Sequence, residues 1–105
     1  MKKSTILVPL ESYLYLQQKC HEERSETGRP LSEQTIERLK RSFNSLSYNG
    51  YYRLMDGDLG GCNGSPKNAY EERRWTSWSC EDMKRILSEA GLPCKDGEAT
   101  ETISL

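Results

Sequence analysis

Chemistry in this chain would have to start from four cysteines, one histidine and a few paired carboxylates. Cys20, Cys62, Cys80 and Cys94 form no Cys-x-x-Cys pair, and the 41, 17 and 13 residues between neighbours fit no zinc-finger or zinc-ribbon spacing. Cys20 adjoins His21, but consecutive helical positions point about 100° apart, so one compact metal site using both would need an unusual backbone. We read the four cysteines as ordinary reduced thiols. A nucleophile–base pair would depend on His21 alone, which sits in the polar run His21-Glu22-Glu23-Arg24 rather than beside apolar, pocket-forming residues. Asp56/Asp58 and Glu71/Glu72 are close in sequence, yet nothing around them would bury them or split their pKa values. No catalytic residue, metal or cofactor is assigned, and the chain is expected to be non-enzymatic.

Three short stretches imitate known motifs and fail on the residue that matters. Asp56-Gly57-Asp58 begins like a calcium loop, but its twelfth position is Lys67 where a bidentate glutamate is required. Gly60-Gly61-Cys62-Asn63-Gly64-Ser65 lacks the lysine of a phosphate loop, and no helical pattern follows. Trp75-Thr76-Ser77-Trp78-Ser79-Cys80 is similar to part of a thrombospondin-type repeat without its disulfide framework.

Recognition is better supported. Eight of the nine aromatic residues are Tyr or Trp, and six lie between Tyr48 and Trp78 with Arg53, Arg73 and Arg74 among them. These side chains combine large contact area with a polar tip, and they dominate protein interfaces. Tyr51, Tyr52, Arg53, Arg73, Arg74 and Trp75 are therefore the candidate contacts with another protein. A chain short of aliphatic residues could also use such rings as its own core. Stacking on single-stranded nucleic acid is the weaker reading, because residues 69–82 also carry four acids.

Composition bounds these choices. Leu, Ile, Val and Phe number 18 of 105 residues, a share near the level where disorder becomes a concern. The net charge is only −1, so the other half of the disorder signature is missing. The expectation is one small domain over residues 1–93 with a thin core. Residues 1–55 carry a net +3 and residues 56–105 a net −4, too little for a general grip on nucleic acid. The apolar run after Met1-Lys2-Lys3 is broken at Pro9 and ends at Glu11, shorter than a secretion signal. It reads as a strand or ordered arm, and the chain as a cytoplasmic protein with no membrane span.

The elements that must position these residues follow from periodicity and punctuation. Leu10, Tyr13, Leu14, Leu16 and Gln17, extended by Cys20, predict a helix from Leu10 to about Arg24. Ser25 to Pro30 stops it. Ser32 reads as the N-cap of a second helix whose stripe is Leu31, Thr35, Leu39, Phe43 and Leu46, widened by Ile36, with Gly50 as its C′ residue. Tyr51–Met55 reads as a strand, Asp56–Asn68 as a long Gly-rich loop, and Ala69–Trp75 as the returning strand. Ser79 and Asp82 form a capping box that opens a third helix with the stripe Met83, Ile86, Leu87 and Ala90, closed by Gly91 and Pro93. Residues 94–105 read as a disordered acidic tail. The fold class is α+β: a helical hairpin, a two-stranded β-hairpin with a long Gly-rich loop, and a C-terminal helix.

Two DNA-binding patterns are partly matched. The strand, helix, Thr27-Gly28-Arg29-Pro30 turn and second helix of residues 4–54 resemble the element order of ribbon-helix-helix repressors, which dimerise through the strand. Leu31–Leu39 followed by Gly50-Tyr51 resembles the recognition helix and wing of a winged helix, which implies a wing at residues 56–68 and phosphate contacts from Lys67, Arg73 and Arg74. The chain departs from the first pattern in its charged helix end at Glu23 and Arg24, and from the second in having no room for a preceding helix between Arg24 and Leu31. The expectation is a small non-enzymatic regulator, inhibitor or adaptor, of the kind phages and mobile elements carry, that binds another protein. A second copy of the chain is an allowed partner. The alternative is a DNA-binding regulator using the helix at 32–47, with Arg38, Lys40, Arg41 and Lys67 as its contacts.

Overall fold

The structure, a computed structural model, describes residues 5–24, 28–47, 49–63 and 74–97, with the backbone alone at 24, 62, 63, 74 and 75. The elements run β1 (Thr5–Pro9), α1 (Leu10–Arg24), α2 (Glu33–Leu46), β2 (Tyr51–Met55), β3 (Gly60–Asn63), β4 (Arg74–Ser77), α3 (Cys80–Ala90) and β5 (Lys95–Asp96). The class is α+β: three helices, an antiparallel sheet in the order β2-β1-β5, and an antiparallel β3-β4 pair.

Local signals set the helix ends. Ser32 caps α2 by accepting the Thr35 N–H at 3.2 Å. At α3 the capping box is complete: Asp82 N–H donates to the Ser79 hydroxyl, and the Ser79 N–H donates to the Asp82 carboxylate, both at 3.1 Å. Gly91 closes α3 at φ 75°, a left-handed conformation that favours glycine. The second helix stops earlier than the sequence suggests, at Leu46 with Ser47 as cap; Asn49 and Gly50, at φ 54° and 84°, form the turn into β2 instead.

The sheet corrects the expected strand pairing. Tyr51–Met55 is a strand, but it pairs with β1, from Thr5↔Met55 to Pro9↔Tyr51, and not with the stretch after the Gly-rich loop. The loop yields β3 instead, which meets β4 from Gly60↔Ser77 to Asn63↔Arg74. The physical reason is Leu59: it is buried in the core, and its carbonyl accepts the Trp78 N–H at 2.9 Å, so the chain folds back four residues after β2 ends. Lys67 and residues 69–73 of the expected returning strand lie outside the described residues. The tail also needs correction at its start. Lys95 and Asp96 pair with Leu7 and Ile6 as β5, and the Gly97 N–H donates to the Thr5 carbonyl at 2.8 Å.

One cluster of buried side chains joins these parts: Ile6 and Val8 of β1, Leu16 and Cys20 of α1, Leu54 of β2, and Met83 and Leu87 of α3, with Trp78 beside them. At one end Tyr52 stacks on Tyr13 and on Phe43, with Tyr13 and Tyr52 ring centroids 4.3 Å apart and the Tyr13 and Phe43 rings tilted by 38°. Burial, reinforced by the neighbouring Tyr52, pushes the Tyr13 hydroxyl up to about 12.

The helix α1 is the centre, with the bounds its stripe predicts and with Tyr13, Leu16 and Cys20 of that stripe buried. It touches β1, β2, β3, α2 and α3, so every residue from Ser12 to Glu22 is buried or half-buried. Its polar side chains act as ties. The fully buried Ser12 hydroxyl donates to the Pro93 carbonyl, and Gln18 accepts the Leu31 N–H at 2.7 Å. By contrast α2 buries only Phe43, and Leu46, expected in its stripe, is 62% exposed. Ala90, expected on the buried stripe of α3, is also exposed.

Candidate functional site

A β-strand sends alternate side chains to opposite faces. In the β2-β1-β5 sheet Ile6, Val8, Tyr52 and Leu54 point to the helices, as their place in the core shows. Their neighbours Thr5, Leu7 and Pro9 on β1, and Tyr51, Arg53 and Met55 on β2, therefore lie on the outer face, joined by Lys95 on β5. No described element packs over this face.

Leu7 is the only aliphatic residue at its middle, and it is 9% exposed although it is not part of the core cluster. Arg53 faces it from β2 and Lys95 from β5. The Lys95 ammonium sits 4.4 Å from the centre of the Tyr51 ring, so its side chain crosses β1 to reach β2. The charge rests on the aromatic ring. The outer-face positions hold two cations and no carboxylate. The acids next in sequence are occupied elsewhere: Asp58 accepts the Met55 N–H at 2.8 Å, and Asp56 accepts the Cys80 N–H at 2.6 Å. The result is a cationic, aromatic and partly apolar surface, with Met55 39% exposed at its end.

The six expected protein contacts separate on this geometry. Tyr51 and Arg53 share the outer face. Tyr52 is turned the other way, half-buried and stacked on Tyr13 and Phe43. Arg73 lies outside the described residues, as do the side chains of Arg74 and Trp75, whose backbone is in β4. Sequence reading missed Lys95 because a two-residue strand has no periodicity to detect. It missed Met55 because one methionine at a strand end carries no signal.

The alternative contacts Arg38, Lys40 and Arg41 are all exposed on α2, together with Glu33 and Glu37. β1 is the middle strand of the three-stranded sheet within one chain, and β2 pairs with it. Residues 64–68 of the expected wing at 56–68 lie outside the described residues.

Of the residues considered for catalysis, Glu71, Glu72 and the Cys62 side chain lie outside the described residues, and Asp56 meets Cys80. Cys20 is buried and His21 half-buried in α1. The Cys80 thiol is pushed up to about 12, first by burial and then by its hydrogen bond to Asp56, so it is protonated at neutral pH. An open depression of about 350 Å³ is lined by Asp56, Gly57, Ser77, Trp78 and Ser79, at the start of α3. The first amide of that helix is already taken by Asp56, so the depression does not offer it to an anion. Among the described residues no three His, Cys, Asp or Glu side chains could hold a metal ion, and no helix is long and apolar enough to cross a membrane. No family model, curated protein or solved structure matches the chain.

Proposed function

We propose that the protein is a small non-enzymatic regulator, of inhibitor or adaptor type, that works by binding another protein through the outer face of its three-stranded sheet. The observation that carries this reading is a sheet face over which none of the described elements packs. It presents Tyr51, Arg53 and Lys95 around a buried Leu7, with Met55 at its edge. Aromatic and arginine side chains on a rigid strand lose little entropy on binding and give large contact area. Arg73, Arg74 and Trp75 belong to the same proposal as further contacts. The two cations favour a partner surface that is acidic, since complementary charge raises the encounter rate and selects register.

The test is capture with the tagged full-length chain from a lysate of its source cells at low and high salt, reading eluates for protein bands and nucleic-acid absorbance. The proposal expects a stoichiometric protein band that survives high salt and is lost with Tyr51→Ala/Arg53→Ala. Nucleic acid eluting at low salt and lost at high salt would contradict it, because counterion release makes such binding steeply salt-dependent.

A further inference from the structure

Among the described residues no strand pairs with the outer edge of β2, and the hydrogen-bond pattern identifies which groups point there. In an antiparallel pair, residues directly opposite alternate between exchanging hydrogen bonds and facing away. Both backbone groups of Met55 are engaged away from β1: its N–H by the Asp58 carboxylate, and its carbonyl by the Asp58 N–H at 3.1 Å. At the other end of the ladder Tyr51 is opposite Pro9, which has no N–H to give. The Thr5 carbonyl faces β5, where it accepts the Gly97 N–H. All three fix the same alternation. Tyr52 and Leu54 bond to β1, and the N–H and C=O of Tyr51 and Arg53 point outward from the sheet. Among the described residues nothing pairs with those four groups.

We propose that this edge pairs with the same edge of a second copy, antiparallel, with Tyr51 opposite the partner's Arg53 on both sides of the two-fold axis. Among antiparallel registers this one uses all four outward groups of each chain, giving four hydrogen bonds. Centring the pair on Arg53 would leave two bonds and place the arginines directly opposite each other, which is unfavourable. Centring it on Tyr51 would also leave two. In the chosen register each cation faces an aromatic ring of the other chain. The axis passes through Tyr52, on the face where α2 stacks Phe43 against it. Leu46, one turn beyond Phe43 on α2, is 62% exposed. Strand pairing alone buries less than the ~1,000 Å² that a stable interface needs, and the Tyr52 and Leu46 side chains of two copies supply an apolar component. The assembly is a six-stranded sheet with two outer faces side by side.

The test is sedimentation equilibrium of the full chain over a concentration series, with amide hydrogen exchange of the same samples. The expected result is a concentration-dependent dimer in which the Tyr51 and Arg53 amides become protected as dimer forms. Arg53→Pro removes one outward N–H per chain at an edge that tolerates proline, and it should weaken the dimer by about tenfold or more. Arg53→Ala keeps the backbone donors and removes the cation–ring pair, so a smaller loss is expected; it also serves if the proline variant fails to fold. A chain that stays monomeric through millimolar concentration overturns the proposal. So does a dimer in which those two amides still exchange freely, or an edge protected only when an unrelated partner is added. These outcomes are independent of whether the outer face captures another protein.

Discussion

Tyr51 and Tyr52 are adjacent and chemically identical, yet the strand gives them separate work. Tyr52 stacks with Tyr13 and Phe43, so Tyr52→Ala should lower stability by about 2 kcal/mol or more, read as a shifted denaturation midpoint. Tyr51→Ala removes a ring from the outer face, so stability should change little while partner affinity falls by about tenfold. Loss of stability in both variants would show that the outer face is part of the core. Cys80 allows a pH statement. Its thiol pKa is raised from 9.0 to about 12 in the folded chain, by burial and by Asp56. The contribution is therefore fully present below pH 9.0 and is lost as pH rises toward 12, because the unfolded chain releases that proton first. Iodoacetamide at pH 8 should leave Cys80 unmodified until the protein is unfolded. Rapid labelling of the native chain, read by mass spectrometry, would contradict that environment.

At the scale of elements, β5 is held by ties drawn from distant parts of the chain. Ser12 holds the Pro93 carbonyl, Lys84 reaches Asp96 at 3.2 Å, and Gly97 lies so close to Thr5 that an added Cβ would come within 2.9 Å of its backbone carbon. Gly97→Ala should therefore displace β5, loosen Lys95 from Tyr51, and speed exchange of the Leu7 amide, without melting the helices. Unchanged exchange would mean that β5 does not guard this edge of β1. Ser79→Ala should cost α3 about 1 kcal/mol, since it removes the hydroxyl that accepts the Asp82 N–H. These elements also show what a sequence can carry. Ser32, the Ser79/Asp82 pair and Gly91 mark helix ends through bonds closed within a few residues, and all were legible. The pairing of Tyr51–Met55 with Thr5–Pro9 depends on residues more than forty positions apart, and β5 is too short to have a pattern. The α1 stripe was legible too, since Tyr13, Leu16 and Cys20 are buried; what it could not show is the buried Ser12, because this helix is packed on more than one face. For the same reasons Tyr51 and Arg53 could be chosen by type, whereas Lys95 joins them only through the fold.

For the whole molecule, the three-stranded sheet has its helices on one face and none of the described elements on the other. The two halves of the chain, +3 and −4, come together in that sheet, since β1 and β2 belong to the first and β5 to the second. This folding collects Arg53 and Lys95 on one surface while directing Asp56 and Asp58 into backbone bonds. The surface is a feature of topology rather than of composition, which is why the near-neutral net charge gave no sign of it. The exposed face of α2 is the competing surface, with Arg38, Lys40 and Arg41 set among acids. The most direct measurement compares the affinity of the captured partner for three chains: wild type, Tyr51→Ala/Arg53→Ala, and Arg38→Ala/Lys40→Ala/Arg41→Ala. The sheet-face account predicts a loss of about a hundredfold for the first pair and less than about threefold for the second set. The reverse order, with binding that follows α2 and collapses in high salt, would contradict it.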